Sequence, residues 1–233
     1  MLAIMRREFK AYFTSPIGYI VVAAIFFISG VFFTQMVAYG IADMRSVFST
    51  MYTFIMFLMP MLTMRLMSED KKIKTDQILL TSPVTITGIV MGKYLAAVLV
   101  FIVASSSTLA ECLVLGILGT PDWGVVITNY VAMILLAATF IAVGMFISAL
   151  TENQVVAAIG AIVANVAVTY IDGILPNINN EFLDQFISDS TFTSRYSEFM
   201  SGMINFSSIM FFLSIIAVFL FLCGRVLEKR RWE

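Results

Sequence analysis

The sequence predicts an all-α, polytopic membrane protein with six transmembrane helices in a single domain. Hydrophobic residues make up 60% of the 233 residues, charged residues make up 12%, and the mean hydropathy is +0.96. Soluble domains are instead about half apolar and about a quarter charged. The excess of apolar residues lies in six continuous stretches, near residues 17–39, 47–64, 88–118, 125–150, 155–171 and 206–224.

The length and continuity of these stretches favour membrane-spanning helices. A helix needs about 20 apolar residues to cross the hydrocarbon core of a bilayer. All six stretches are within reach of that length, and the fifth is near the lower limit. Strands of a membrane barrel would instead alternate apolar and polar residues, and a lipid-exposed backbone must satisfy its own hydrogen bonds.

The distribution of basic residues predicts the orientation. Of the 14 Lys and Arg residues, 12 lie at the two chain ends or in the connection between the second and third stretches. Only Arg45 and Arg195 lie in the opposite connections, which otherwise carry acidic residues. Because cytoplasmic loops carry the excess of Lys and Arg, we expect both termini to be cytoplasmic.

The first 16 residues predict a short amphipathic helix at the cytoplasmic membrane surface. Basic residues occupy the remaining faces of this helix, which suits the anionic leaflet. Ser15 and Pro16 are expected to end the helix and to turn the chain into the membrane. The apolar residues at helical spacing are Leu2, Met5, Phe9, Tyr12 and Phe13.

The connection at residues 68–83 predicts a second short cytoplasmic helix. Ser68 is placed to cap it, and the two acidic residues that follow suit its positive end. We expect the helix to run through Leu80 until the Ser-Pro pair at 82–83 ends it, and Thr87 to cap the third span. The spacing is equally consistent with a docking surface and with an ordinary solvated connector.

The glycines before Lys93 superficially resemble a phosphate-binding loop. Such a loop needs four residues between its glycines and a Ser or Thr after the Lys. Here three residues separate Gly88 from Gly92, and Tyr94 follows the Lys. We expect Lys93 to extend to the membrane surface and the glycines to ease helix packing. The chain also contains no His, so we expect a protein that is not itself an enzyme and that binds no metal or cofactor.

Polar residues within the apolar stretches are candidates for a pathway or an interface. The fifth stretch has a stripe of small and polar residues on one helix face, which predicts either packing within one subunit or the lining of a subunit interface or export path. Glu111 is costly in lipid and is expected near the outer boundary, within hydrogen-bonding reach of Ser107 and Thr108. The stripe consists of Ala158, Ala161, Asn165, Thr169 and Asp172.

The outer segment at residues 173–205 is too long for a tight hairpin. Apolar residues between 182 and 187 predict one short amphipathic helix, and those between 192 and 203 predict a second, with Gly202 as its stop. We expect both to dip into the outer leaflet, which requires their junction to be covered by protein or to face water.

Several segments resemble type-2 ABC exporter permeases. Residues 74–84 read Lys-Thr-Asp-Gln-Ile-Leu-Leu-Thr-Ser-Pro-Val, and residues 89–93 read Ile-Val-Met-Gly-Lys. In that family an acidic residue precedes a Gly-Thr pair, which is followed by a Leu-Leu-x-Ser-Pro run and then by a Gly-Lys pair that opens the third helix. This chain has Lys74 where the family commonly has Gly. Segments 7–17, 196–204 and 227–232 are also similar, most of all to the branch that includes gliding-motility-associated permeases.

The resemblance implies a half-transporter of the bacterial cytoplasmic membrane. Such permeases have an amino-terminal elbow helix, six spans, a cytoplasmic coupling helix and re-entrant helices before span six. Two permeases, identical or paralogous, pair over a dimer of cytoplasmic ABC ATPases that hold ATP and magnesium. An extracytoplasmic auxiliary subunit is compatible with this arrangement, and no nucleic-acid partner is expected. The implied ATPase-coupling residues are Ile73, Lys74, Thr75, Asp76, Gln77, Ile78, Leu79, Leu80, Ser82 and Pro83.

Two other functions are also compatible with the sequence. The chain could be the membrane anchor of an ATP-driven assembly that transmits force without moving cargo. It could also be an ion-coupled carrier, although no charged residue lies clearly at the bilayer midplane, where coupled ions usually bind.

Overall fold

A computed structural model describes residues 1–41, 43–75, 84–119, 121–170 and 191–231, apart from the side chains of residues 118 and 231. These residues form an all-α structure, in agreement with the predicted fold class. In chain order the helices are α1 Leu2–Thr14, α2 Pro16–Ala38, α3 Arg45–Thr63, α4 Ser68–Lys72, α5 Ile86–Leu118, α6 Trp123–Leu150, α7 Gln154–Thr169, α8 Phe192–Met200 and α9 Phe206–Arg231.

Five membrane spans are supported by helix length and composition. They correspond to α2, to α3 together with α4, and to α5, α6 and α9. The remaining predicted span, the fifth in chain order, corresponds to α7, an apolar helix of 16 residues, which is about 24 Å long at 1.5 Å per residue. Because α7 is shorter than the hydrocarbon core and residues 171–190 lie outside the described part of the chain, this fifth span stays a prediction, and with it the total of six.

Helix α6 forms the centre of the bundle. In its most apolar 18 residues 72% are buried, whereas the same share is 22–50% in the other four spans. It packs against α3, α5, α7, α8 and α9. Small residues allow this close packing; Gly144, for example, lies against Thr63 of α3, where an added side chain would collide with the threonine.

The corner between α1 and α2 forms as the sequence predicts. Helix α1 ends at Thr14, Ser15 is extended, and Pro16 occupies the first turn of α2, where its missing N–H is not needed. A Cβ atom on Gly18 would collide with the backbone carbonyl of Tyr12. The two helices can therefore approach this closely only because residue 18 has no side chain.

Most basic residues in the described part of the chain lie at one end of the bundle, as the sequence predicts, and Arg45 and Arg195 lie at the other. Lys93 of α5 pairs with Glu8 of α1 at this end, and Arg230 of α9 pairs with Glu152 between α6 and α7, at 3.0 Å. The connections α2–α3 and α5–α6 and helix α8 lie at the opposite end. Which end faces the cytoplasm remains a prediction of the charge pattern.

Helix α8 lies at that opposite end and corresponds to the second predicted outer helix. Its side chains Phe192, Tyr196 and Phe199 are buried, and the Tyr196 ring lies 4.6 Å from the ring of Tyr52. Gly202 follows the helix with a φ of +83°, a left-handed conformation that favours glycine and ends a helix. The first predicted outer helix, between residues 182 and 187, lies outside the described residues.

Replacing Gly18 with Ala should destabilise the α1–α2 corner. The new methyl group has no room beside the Tyr12 carbonyl, and such overpacking typically costs about 1–3 kcal/mol. Gly30→Ala, in the same helix, is the matched control because no other atom lies within 4 Å of the position that its methyl group would occupy. Thermal unfolding of the purified protein should show a lower midpoint for Gly18→Ala alone; equal midpoints would contradict the close approach.

Candidate functional site

A buried lysine joins three segments at the basic end of the bundle. Lys93 of α5 is only 2% exposed. Its Nζ atom lies 2.6 Å from a carboxylate oxygen of Asp70 and 3.1 Å from one of Glu8, and it donates a hydrogen bond of 2.7 Å to the carbonyl of Leu66. The predicted extension of Lys93 to the membrane surface is therefore wrong, because two carboxylates and a carbonyl satisfy its charge inside the protein.

The prediction that Gly92 eases helix packing is consistent with the structure. A Cβ atom at Gly92 would lie 3.1 Å from the side chain of Ile4 and 3.1 Å from the carbonyl of Met1. The absence of a side chain therefore lets α1 lie directly on the first turns of α5. This proximity brings Glu8 within reach of Lys93.

A second set of contacts joins α1 to the end of α3. The buried Tyr12 hydroxyl donates to the carbonyl of Leu62 at 2.8 Å. Arg65 lies over the Tyr12 ring at 5.9 Å, pairs with Glu69 at 2.8 Å and donates to the Ser15 hydroxyl. Burial, with a further contribution from nearby Glu8, raises the pKa of Tyr12, so its hydroxyl remains a hydrogen-bond donor.

Helix α4 is also attached to the end of α6. The Ser148 hydroxyl accepts hydrogen bonds from the backbone N–H groups of Met67 and Ser68, at 3.2 and 3.1 Å, and donates to the carbonyl of Met64 at 3.0 Å. Lys71 is buried and donates to the carbonyl of Ala149. The five residues of α4 are thus held directly by α5, α6 and Arg65, and Lys93 and Arg65 in turn contact α1.

The contacts of Lys93 and Arg65 lie around a cleft of about 250 Å³. Its walls carry three cations and three carboxylates, and Ile73 and Thr75 lie at its edge. Ile73 is 60% exposed. The cleft's charged side chains are Arg7, Glu8, Arg65, Glu69, Asp70 and Lys93.

Comparison with known proteins assigns the family. The family model described as ABC-2 family transporter protein matches residues 2–232. The chain belongs to the ABC-2 transporter family. No curated protein matches it. Together with the long apolar helices, membership identifies a multi-pass membrane component of an ABC transporter.

The structure corrects the predicted coupling helix of this ABC-2 protein. Helix α4 ends at Lys72 and does not continue through Ile73, because Lys74 adopts a left-handed conformation with a φ of +58°. Glycine favours that conformation, which gives a physical reason for the Gly common at this position in the family. The Thr75 hydroxyl then donates to Asp70 at 2.9 Å. Asp76, Gln77, Ile78, Leu79, Leu80, Ser82 and Pro83 lie outside the described residues.

Two predicted helix caps also differ from the structure. Ser68 is not a cap, because its hydroxyl donates back to the carbonyl of Met64 while Met67 occupies the cap position. Thr85, rather than Thr87, caps α5 by accepting a hydrogen bond from the Gly88 N–H at 3.2 Å.

The small and polar stripe of α7 packs within the chain. Ala161, Asn165 and Thr169 are buried, and the Asn165 amide donates to the carbonyl of Met56 in α3 at 3.3 Å. Ala158 is only partly buried, and Asp172 lies outside the described residues. The described part of the stripe therefore contributes to packing within the chain, and its role at a subunit interface or export path stays a prediction.

Glu111 lies in a polar contact between α5 and α2. One carboxylate oxygen accepts a hydrogen bond of 2.7 Å from the hydroxyl of Ser29, which lies 3.2 Å from the hydroxyl of Ser107. Thr108 is buried and its hydroxyl has no hydrogen-bond partner among the described residues. The partner of Glu111 is therefore on another helix, and not Ser107 or Thr108 one turn away.

Removing the buried ammonium should strongly destabilise the protein. Lys93→Met would leave Glu8 and Asp70, whose side chains are 14% and 16% exposed, without their shared cation. Breaking a buried ion pair from one side costs about 3–5 kcal/mol. The thermal unfolding midpoint should fall markedly, whereas Lys72→Met, an exposed lysine of α4, should change it little. Similar midpoints for the two variants would contradict the role of Lys93.

Proposed function

We propose that this chain is the permease subunit of an ATP-driven ABC exporter in the bacterial cytoplasmic membrane. In this proposal the basic end, with both termini, faces the cytoplasm, and separate ATPase subunits bind there. Family membership supports the permease role. The observation that carries the coupling role is that α4, beside the exposed Ile73, is attached to α5 through Lys93, to α6 through Ser148 and Ala149, and to Arg65 at the end of α3.

The geometry supports transmission of a displacement from α4 into the spans. A force applied at Ile73 acts on α4, and Asp70 cannot move away from Lys93 without leaving a buried charge unpaired. Movement of α4 is therefore expected to carry the start of α5, and α1 through Glu8. The Ser148 and Ala149 contacts extend the same displacement to α6, the central helix of the bundle.

ATP hydrolysis belongs to the partner in this proposal. The Gly-x-x-x-Gly-Lys run at residues 88–93 has the wrong spacing for a phosphate loop, and both Gly92 and Lys93 have structural contacts. ATP and magnesium would be held by the ATPase dimer, and this chain would supply the membrane path and the docking surface.

The permease is proposed to work as a pair, either with a second copy or with a paralogue. Because Asn165 and its neighbours are buried within the chain, they are poor candidates for the contact between copies. The opposite face of α7 carries Ile159 and Val163, which are 58% and 61% exposed. This face of the short helix is where we expect the partner permease.

Ile73→Asp should weaken binding of the ATPase without unfolding the permease. Burying an isoleucine contributes about 1.5–3 kcal/mol, so loss of that contact should lower the affinity at least about tenfold. Ile41→Asp is the matched control, since Ile41 is 52% exposed and lies at the opposite end of the bundle. Co-purification of the ATPase and its turnover should decrease for Ile73→Asp alone; unchanged binding and turnover would overturn the docking proposal.

Cysteine cross-linking tests the proposed pairing face. Val163→Cys should form a disulfide-linked pair in membranes, because residue 163 is exposed on α7. Asn165→Cys should not, because residue 165 is buried against α3. The readout is the covalent dimer on non-reducing gels after mild oxidation. Cross-linking at 165 but not at 163 would reverse the proposed face, and cross-linking at neither would argue against pairing through α7.

A further inference from the structure

A groove between α5 and α9 lies at the basic end of the bundle, separate from the charged cleft. Its volume is about 290 Å³. The walls are apolar side chains from the first turns of α5, Val90 and Met91, and from the late turns of α9, Leu220 and Phe221. Phe221 is 62% exposed, so the groove opens outward to the surroundings of the spans, where an acyl chain would meet it.

Gly224 keeps this groove open. It lines the groove, and a Cβ atom built on it would have no other atom within 4 Å. The glycine is therefore not required by helix packing, unlike Gly18. Its effect is to leave empty space beside the apolar wall, at the level where the apolar part of α9 ends and its charged last turns begin.

The mouth of the groove carries one cation and one carboxylate. Arg225 and Glu228 both line it, with side chains 64% and 44% exposed and a separation of 2.7 Å between Nη1 and the carboxylate oxygen. Arg225 also lies over the Phe221 ring at 5.4 Å, which holds the guanidinium beside the apolar wall. The mouth is thus neutral overall, with its two opposite charges side by side.

We propose that this groove binds a zwitterionic phospholipid with a primary ammonium, that is, a phosphatidylethanolamine. One acyl chain lies along the apolar wall beside Gly224. The phosphate accepts hydrogen bonds from Arg225, whose guanidinium has five N–H donors in a planar fork suited to phosphate. The ammonium donates to Glu228.

The pair of charges selects this head group over other phospholipids. A purely anionic head group would bring its charge beside the Glu228 carboxylate with no cation of its own to offset the repulsion. A choline head group carries a positive charge but no N–H, so it cannot donate a hydrogen bond to the carboxylate. The site depends on the membrane boundary at this end of the bundle and not on ATPase binding. The lipid site can therefore be disproved while the proposed function stands, and the proposed function can be disproved while the lipid site stands.

The experiment measures which phospholipid the full chain retains. The protein is purified in detergent, supplied with phosphatidylethanolamine, phosphatidylglycerol or phosphatidylcholine of identical acyl chains, and analysed by native mass spectrometry. We expect phosphatidylethanolamine to be retained about tenfold more than the other two, which corresponds to about 1.4 kcal/mol. Equal retention of all three, or preferential retention of phosphatidylglycerol, would overturn the proposal.

Matched variants separate the groove from its charged mouth. Gly224→Phe should fill the groove and lower phosphatidylethanolamine retention about tenfold, whereas Gly30→Phe, at a second open glycine, should leave it unchanged. Retention by Gly224→Phe equal to that of the unaltered chain would overturn the site.

The charged mouth provides a test that does not alter packing. Glu228→Gln changes an exposed side chain, so the fold is retained even where Gly224→Phe aggregates. It should lower phosphatidylethanolamine retention to the level of phosphatidylglycerol, and Arg225→Gln should lower retention of all three lipids. An unchanged preference in Glu228→Gln would overturn the assignment of the head group.

Discussion

The buried ammonium of Lys93 is the interaction on which the basic end of this molecule depends. Removing a charge from water costs several kcal/mol, and a partner charge offsets this only with good geometry and further hydrogen bonds. Here Asp70, Glu8 and the Leu66 carbonyl surround the ammonium at 2.6–3.1 Å. Because each of these partners belongs to a different part of the chain from Lys93, all of them must hold their positions together.

The centre of the bundle and its basic end are stabilised by different interactions. Around α6 the contacts are apolar and close, and they depend on small side chains such as Gly144 against Thr63. At the basic end the contacts are ion pairs and hydrogen bonds directed at α4. Helix α4 is too short to be stable alone, so its position is determined by its partners. The position of the short helix is therefore determined by α5, α6 and Arg65, and it has little freedom of its own.

The sequence predicts the spans well because hydropathy is a local property. Apolar runs of about 20 residues have one stable solution in lipid, and the α1–α2 corner carries its own signal in Ser15 and Pro16. The Lys93 cluster could not be predicted in the same way. Glu8 and Lys93 are 85 residues apart in the chain, and helical spacing relates only residues on the same helix. The one signal in the sequence is a lysine inside a continuous helical stretch, with carboxylates in two neighbouring segments.

The same limit explains why the sequence does not identify the partners of single polar residues. Helical spacing pairs Glu111 with hydroxyls one turn away on its own helix. In the structure, however, Glu111 accepts a hydrogen bond from Ser29 on α2, and Asn165 donates one to α3. Within an apolar bundle, a polar side chain gains most from a partner on a neighbouring helix, because that contact satisfies both groups and fixes the helix pair. Helical periodicity locates the polar face but not the helix that it meets.

The two ends of the bundle differ in what a rearrangement would cost. At the end opposite Lys93, α8 is held by aromatic contacts, including Phe192 with Phe212 at 5.5 Å between ring centroids and Tyr196 with Tyr52 at 4.6 Å, and by side-chain hydrogen bonds to α3, α7 and α9. Aromatic pairs contribute about 0.5–1.5 kcal/mol beyond area burial, and rings that slide past each other leave no buried charge unpaired. Separating Lys93 from its carboxylates costs about 3–5 kcal/mol. A displacement that enters through α4 is therefore accommodated more easily between rings at the α8 end than within the charged end, which moves as one unit.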